Sequence, residues 1–398
     1  MKILILTADY ESFLQWLYTR NPQLANKSYA AQLDARQATL FGVADFYSRN
    51  FSALGHTASE IFVNNIWLQS AWAREHGLSV PSPAAPGSAG SAPESSEFVM
   101  HVKRRLRPYR TALVPLAKRL GFMRTLSPVE RRILLAQIED ANPDVILNQI
   151  PEVIEGDVMR AAMRRGRILI VQHGNQPSES MDLKPYDFGI SLASWIVDYF
   201  RARGLPAEQV PLAFDPSVLE KLGPAPAKDI ELSFVGGLSS GHTARIELLE
   251  AVARNFPIQL WLSNFKGIAR NSPLRDRLRG EVWGSDMYDV LRRSKITLNS
   301  HIDAARGMAC NMRLYEATGV GTFLLTDDLP NLPSLFQPGV HVGSYSSIED
   351  CLEKIKYYLA NESAREKIAA DGQAHTLAHH TYRQRIETIL TLVEKYSR

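Results

Sequence analysis

A chain of 398 residues, 45% hydrophobic and 22% charged, suits two α/β domains of roughly 150–200 residues each and is neither disordered nor fibrous in composition. Its 45 basic and 42 acidic residues leave a net charge of +3, too small to argue for nucleic acid as a partner. Two cysteines, Cys310 and Cys351, supply neither a disulfide framework nor a metal-ligand spacing, which fits a reducing cytoplasm.

Lys2 to Ala8 is an apolar run suited to a buried parallel strand, and MKILILTADY reads as that strand rather than as a signal peptide. No run approaches the ~18 apolar residues of a membrane span. Asp9 and Tyr10 fall at the strand's C-terminal end, the edge of an open α/β sheet where ligands bind. Residues 11–28 are aromatic-rich short helices or loop. Trp16 and Tyr18 there, with Trp67, could stack on a sugar, although aromatics at such positions are more often core. One long helical pattern covers 29–54, and Thr57 to Val63 is the second strand.

Residues 80–97 are Pro-, Ser-, Ala- and Gly-rich and read as a mobile loop, because they carry too little apolar bulk to offset ordering entropy. The helical segment 98–141 is basic, with most of its Lys and Arg between 103 and 132. It offers a peripheral contact with an anionic membrane surface or acceptor, but the plainer reading, a solvated face of a packed helix, is preferred.

Asp144 to Asn148 and Arg167 to Gln172 are further strands, the second ending in His173-Gly174-Asn175. Phe188 to Leu192 is a strand, Ser194 to Arg203 a helix, and Val210 to Phe214 an exit strand. This alternation predicts a parallel sheet covered by helices on both faces. A linker over 223–228 separates residues 1–222 from a second domain, 223–378, whose strands are placed at Glu231–Val235, Ile258–Leu262, Ile296–Leu298, Phe323–Leu325 and His341-Val342. Gly236, Gly237 and Gly241 precede a helix from about Thr243 to Asn255. Glycines let a backbone approach phosphate closely, but this spacing is also that of a plain turn and matches neither a P-loop nor a dinucleotide fingerprint. Residues 379–398 form a last helix.

The richest stretch is RGMACNMRLYEATGVGTFLLTDD, Arg306 to Asp328. Asn311 is placed to cap a helix over Met312–Thr318. Arg313, in its first turn, is unfavourable unless an anion lies beside it, and Glu316 can accept bonds from a diol. Together they suit a nucleoside diphosphate and its ribose. Taken alone, the same residues also suit an ordinary cap and an Arg313–Glu316 surface pair.

FVGGLSSGHTAR (234–245), YDVLRRSKITLNSH (288–301), NMRLYEATGVGTFLLTD (311–327), LFQPGVHVGSY (335–345) and HTYRQR (380–385) resemble, in order, the donor-binding half of CgeB-like glycosyltransferases of the GT-B superfamily. YDFGISLASWIVDYFRARGL (186–205) and PLAFDP (211–216) match more loosely. The resemblance implies an α/β GT-B architecture of two Rossmann-like domains facing a central cleft, with the C-terminal helix crossing back onto the first domain. Glu316 matches the glutamate that contacts ribose. Many retaining relatives carry a second, donor-sugar glutamate upstream, and its position here is Met308, so that contact and the stereochemical outcome do not carry over.

The resulting expectation is a cytoplasmic glycosyltransferase, peripheral at the inner membrane face if the basic segment docks there, and without a tightly bound cofactor. It uses a nucleotide-diphosphate sugar and an acceptor on a surface polysaccharide, a lipid-linked glycan or a protein. Asp327-Asp328 is adjacent rather than spaced as a DxD, so the chemistry is expected to be metal-independent. Arg245 and Arg313 are the phosphate candidates, with Gly236, Gly237 and Asn311 as donors and Asn299 and His301 facing the same crevice. His173 and Asp9 are the acceptor-side candidates, His173 with the more suitable pKa for a base. An inactive GT-B-shaped scaffold and a sugar-nucleotide epimerase are the alternatives. MKILILTADY leads into no GxGxxG, which argues against a nicotinamide dehydrogenase.

Overall fold

The computed structural model describes residues 1–81, 125–238, 242–265, 268–302 and 305–397. The Pro/Ser-rich stretch from residue 82, the basic segment as far as residue 124, and Gly241 lie outside the described residues. Of the basic segment, Arg131 and Arg132 are described, on the helix Pro128–Ala141. Arg131 pairs with Asp157 and Arg132 donates to the Ser79 carbonyl, so both are engaged within the fold. Among the described residues no helix is long and apolar enough to cross a membrane.

Six strands, β1 (Lys2–Thr7), β2 (Thr57–Phe62), β3 (Val145–Asn148), β4 (Ile168–Gln172), β5 (Phe188–Ser191) and β6 (Ala207–Gln209), form one parallel sheet in the order β2-β1-β3-β4-β5-β6. Five more, β7 (Ile230–Gly236), β8 (Gln259–Leu262), β9 (Ser294–Leu298), β10 (Phe323–Asp327) and β11 (Gly343–Tyr345), form a second parallel sheet in the order β11-β10-β9-β7-β8. Both sheets are covered by helices, so their strands are near-continuous apolar runs. In β1, Ile3 to Leu6 are all buried, and Ile3 and Ile5 pack into a different core cluster from Leu4 and Leu6.

Three local expectations shift. The pattern over 29–54 breaks into two helices, Tyr29–Ala38 and Phe46–Ala53. Between them Leu40, Gly42 and Ala44 take positive φ, and the Thr39 hydroxyl bonds the Arg36 carbonyl. The last strand of the first sheet is Ala207–Gln209 rather than 210–214, because Pro211 has no N–H to donate to a ladder. The second sheet's edge strand is Gly343–Tyr345, while 338–342 is a turn closed by a Pro338–Val342 bridge.

The chain passes between the sheets twice, and the two passages pair. The Phe214 N–H donates to the His380 carbonyl at 2.8 Å, and the Tyr382 N–H donates to the Phe214 carbonyl at 3.1 Å. Thr381 and Gln384 then form a capping box for the helix Tyr382–Tyr396. That helix lies on the first sheet's side. Arg385 Nε bonds the Pro211 carbonyl at 3.1 Å, the Tyr396 and Phe188 rings stack at 4.9 Å, and Lys395 meets Glu208 at 2.7 Å.

A second junction joins the residues before the helix Gly284–Arg293 to the broken helix of the first sheet. Trp283 packs edge-on against Phe41 at 4.9 Å and near Phe13 at 5.9 Å, and the Ser285 N–H donates to the Thr39 carbonyl at 2.7 Å. Gly284 has φ +54°, and a Cβ there would stand 1.9 Å from the Thr39 carbonyl oxygen. Gly284→Ala is therefore expected to loosen this junction, costing about 1–3 kcal/mol in urea unfolding. An unchanged midpoint would mean that the close approach at Thr39 does not matter to the fold.

Candidate functional site

In each sheet the strand order reverses direction once, between β1 and β3 and between β7 and β9. Crevices beyond the carboxyl ends of strands at such points are where open α/β sheets bind ligands. In the second sheet that crevice gathers Gly236, the last residue of β7, and Gly237 with Asn299, Ser300 and His301 after β9. Arg245, on the helix Thr243–Asn255, spans the gap by donating to the Gly237 carbonyl at 3.2 Å and to the Ser300 carbonyl. Neither Gly236 nor Gly237 takes positive φ, and Gly236 is still within β7.

Arg313 opens the helix Arg313–Gly319, one residue later than expected, and Met312 rather than Asn311 occupies the cap position, with no side-chain cap bond. Asn311 instead pairs side chain to side chain with Asn299, with Asn311 Nδ2 donating to Asn299 Oδ1 at 2.8 Å. Asn299 Nδ2 also donates to Thr326 Oγ1 at 3.0 Å. The expected cap is thus a long-range amide pair that ties the loop after β9 to the helix.

Arg313 Nη1 meets Glu316 Oε2 at 2.9 Å, and Nη2 donates to the Val235 carbonyl at 3.2 Å. The i,i+3 pair does form, but it is buried rather than on the surface. Burial pushes the Glu316 carboxyl pKa up, and the Arg313 charge opposes that rise. His301 is oriented by Asp327, with Nδ1 at 2.7 Å from Oδ1 and the His301 N–H donating to Oδ2 at 2.9 Å. Its Nε2 is buried without a partner among the described residues. Asp327, weighed in the sequence only as half of a metal motif, is therefore the anchor of this imidazole, and hydrogen bonds from His301 keep its carboxyl low against the effect of burial. Among the described residues no group of three His, Cys, Asp or Glu side chains is arranged to hold a metal ion.

On the first sheet the two acceptor-side candidates part company. Asp9 is buried, accepts from Arg36 Nη2 at 2.5 Å and from Arg36 Nε at 3.2 Å on each oxygen, and is held through its main chain by Asn64. Its carboxylate is committed to an ion pair, so the base role expected of it gives way to a structural one. His173 is 6% exposed, and its Nε2 has no hydrogen-bond partner among the described residues. Burial lowers its pKa, while Glu152, with Oε1 4.0 Å from Nε2, and the Gln176 main chain pull the other way. Of the aromatics, Tyr18 bonds Gln32 and Asn65 and packs on Trp67 at 4.3 Å, an interior cluster.

The edges of the two sheets face each other. Tyr10 keeps 68% of its surface open to water, yet it lies 5.8 Å from Phe41 and 6.2 Å from Trp283. Protein surrounds it closely enough for burial, and then the Glu316 carboxylate, to raise its phenol pKa. Tyr10 is therefore within electrostatic reach of the Glu316 carboxylate. Farther along, Ser194 Oγ donates to Met308 Sδ at 3.4 Å, and Arg306 reaches Gln176. Tyr10 was visible in the sequence as a strand-end residue. Glu152 gave no signal, since only the fold sets it beside His173.

Residues 245–391 match a family model described as glycosyl transferase-like. No curated protein matches the chain in sequence. Among solved structures, a glycosyltransferase from Rickettsia africae ESF-5 superposes with a TM-score of 0.54 at 11% identity, over 99% of this chain and 98% of that one. AviGT4, a glycosyltransferase involved in avilamycin A biosynthesis, gives 0.54 at 14% identity over 100% and 98%. HepE of Anabaena, solved in complex with UDP-glucose, gives 0.54 at 12% identity over 99% and 100%. With two facing parallel-sheet domains that superpose end to end on these enzymes, the chain has the GT-B glycosyltransferase fold, and a glycosyl transferase-like domain occupies residues 245–391.

Proposed function

We propose that the protein transfers a sugar from a nucleotide-diphosphate donor to a hydroxyl acceptor on a glycan, lipid-linked glycan or protein, in the manner of the CgeB-like branch. The observation that carries this reading is the buried Arg313–Glu316 pair at the reversal point of the second sheet. Glu316 would accept from the ribose diol. Arg313 and Arg245, with the main chain at Gly236 and Gly237, would face the diphosphate, and His301, held by Asp327, would present Nε2 toward the same anion. HepE was solved with UDP-glucose, which makes a uridine donor the first to test.

Departure of the nucleotide creates negative charge on phosphate, and fixed cationic side chains stabilise it without reorganising. Two arginines at the strand ends fit that task, so metal independence is part of the proposal, as are a cytoplasmic site and a role in polysaccharide assembly. On the acceptor side, His173 is the base or the orienting group. Met308 favours the inactive-scaffold alternative, because it packs against the first domain's core and Ser194 where a donor-sugar carboxylate would stand in retaining relatives. An epimerase would convert the donor to an isomer without any acceptor.

Thermal shift against a panel of nucleoside diphosphates and their sugars, with EDTA present, tests the reading, since a ligand stabilises the fold by RT ln(1 + [L]/Kd). One preferred donor should stand out, and silence across the panel would favour the scaffold. Glu316→Ala should weaken the preferred nucleotide by about 1.5–3 kcal/mol, the worth of hydrogen bonds to a charged group. Equal affinity in wild type and variant would remove Glu316 from the ribose.

As a base, His173 must be neutral. Its folded pKa lies below the ordinary 6.5, so transfer should hold at neutral pH and fall only as pH drops through a midpoint below 6.5. An acid limb above that value, or one that persists in His173→Gln, would assign it to another group. The same shift makes folding weaken below pH 6.5, because the unfolded chain takes up the proton first. Asp9→Asn should leave the Arg36 charge buried and unpaired, destabilising the fold by about 3–5 kcal/mol in urea unfolding. Unchanged stability with lost transfer would return Asp9 to the chemistry.

A further inference from the structure

A single carboxylate holds the His301 residue at two points. Nδ1 lies 2.7 Å from Asp327 Oδ1, and the His301 main-chain N–H donates to Oδ2 at 2.9 Å. Thr326 Oγ1 donates to the same Oδ1 at 3.0 Å and itself takes a bond from Asn299 Nδ2 at 3.0 Å. The Asn299 carbonyl in turn accepts the Tyr345 hydroxyl at 2.7 Å. The ends of three neighbouring strands, β9, β10 and β11, therefore fix where the imidazole stands.

The Asp327 carboxyl is kept low, so it is an ionised acceptor and Nδ1 carries the hydrogen between the two groups. In a neutral ring that leaves Nε2 as a bare lone pair, able to accept a hydrogen bond but unable to donate one. Nε2 is shut off from water and has no partner among the described residues, and the side chain as a whole is 4% exposed. A nitrogen in that state can meet an anion only after it takes up a proton. His301 follows directly on Ser300, whose carbonyl accepts Arg245 Nη2, and the same guanidinium reaches the Gly237 carbonyl at 3.2 Å across the reversal point. The charged groups around the ring are thus Asp327 on β10, which favours an imidazolium, and Arg245 on the helix Thr243–Asn255, which opposes it. Burial, and then the Asp327 charge, pushes the Cys310 thiol up to about 11 and the Tyr345 phenol higher still, so both stay neutral.

We propose that His301 is a proton-dependent ligand for the diphosphate: Asp327 locks the ring with Nε2 bare, and the nucleotide sugar is bound together with one proton, which Nε2 then shares with a phosphate oxygen. The proposal rests on the transferase reading, which puts a diphosphate in this crevice, and adds the protonation state in which the site receives it. Asp327 is the positioning residue and acts on the ligand only through the ring. Its charge balances the imidazolium, so the added cation is not left buried and unpaired. Donor affinity therefore falls as pH rises, because the proton must be drawn from a more dilute supply.

UDP-glucose is the probe, since a diphosphate esterified at both ends has no proton of its own to exchange near neutrality. Ring-nitrogen NMR signals separate a bare from a protonated nitrogen. They are recorded on the full-length chain at about pH 7.5, above the ordinary imidazole midpoint, with and without UDP-glucose. His301 is assigned by its loss in His301→Gln. The free chain should show Nδ1 protonated and Nε2 bare, and the complex should show both protonated. Calorimetry in buffers of unlike ionisation heat should count an uptake approaching one proton per ligand, and none in His301→Gln. Between the midpoints of the free and the bound ring, Kd should rise about tenfold per pH unit in wild type and stay level in His301→Gln. Asp327→Asn should release the tautomer, so that Nε2–H appears in the free chain and the uptake shrinks. The wild-type spectra decide the matter even where that variant folds poorly. An Nε2 that stays bare in the complex, or is already protonated in the free chain, would overturn the proposal and leave the donor reading standing. If neither UDP-glucose nor any other nucleotide sugar of the panel binds, the donor reading falls and this proposal with it.

Discussion

A carboxylate and a guanidinium taken out of water must meet each other, because each alone costs several kcal/mol. The protein does this at the carboxyl edge of each sheet, and the two pairs differ in how many carboxylate oxygens the arginine reaches. Around Asp9, Arg36 reaches both oxygens and Asn64 clamps the main chain, so the first loop of the first sheet is fixed. Around Glu316, Arg313 reaches one oxygen, Oε2, and spends its other bonds on the Val235 carbonyl and the Met287 sulfur. Burial raises the Glu316 pKa, and burial first, then the Glu316 charge, raises the phenols of Tyr10 and Tyr288. On the function proposed, a carboxylate that an arginine reaches at one oxygen would keep capacity for hydroxyl donors from a ligand.

The fold was legible where hydrophobic run and strand coincide. Lys2–Thr7, Val145–Asn148 and Gln259–Leu262 all lie inside apolar runs that only a parallel strand, covered on both faces, would carry. It was less legible where tertiary contact overrides local pattern. Nothing local in 29–54 demands a break, and the turn at 39–45 offers its Thr39 carbonyl and Phe41 ring to Ser285 and Trp283, more than two hundred residues away along the chain. Asn311 looked like a cap because Asn is a good one, but the amide of Asn299 competes for it and wins.

The candidate site divides along the same line. Residues carried by the motif after β9 and on the helix Arg313–Gly319 were visible because they cluster in sequence. Their partners were not, since a parallel sheet sets strand ends side by side that are separated by a whole crossover. Asp327 beside His301, and Glu152 beside His173, are neighbours of that kind.

The short helix Arg313–Gly319 also links the site to the pivot between the domains. Its first residue holds Glu316, while its last, Gly319, packs so closely on Phe214 that a Cβ would stand 2.4 Å from the ring. Phe214 is in turn the residue that pairs with His380 and Tyr382 where the chain crosses between sheets. A rotation of one domain about that crossing must carry the helix with Phe214 or break the Gly319 contact. Packed interfaces of this kind favour discrete arrangements over gradual bending. The helix that carries Arg313 and Glu316 therefore packs directly on the crossing between the sheets.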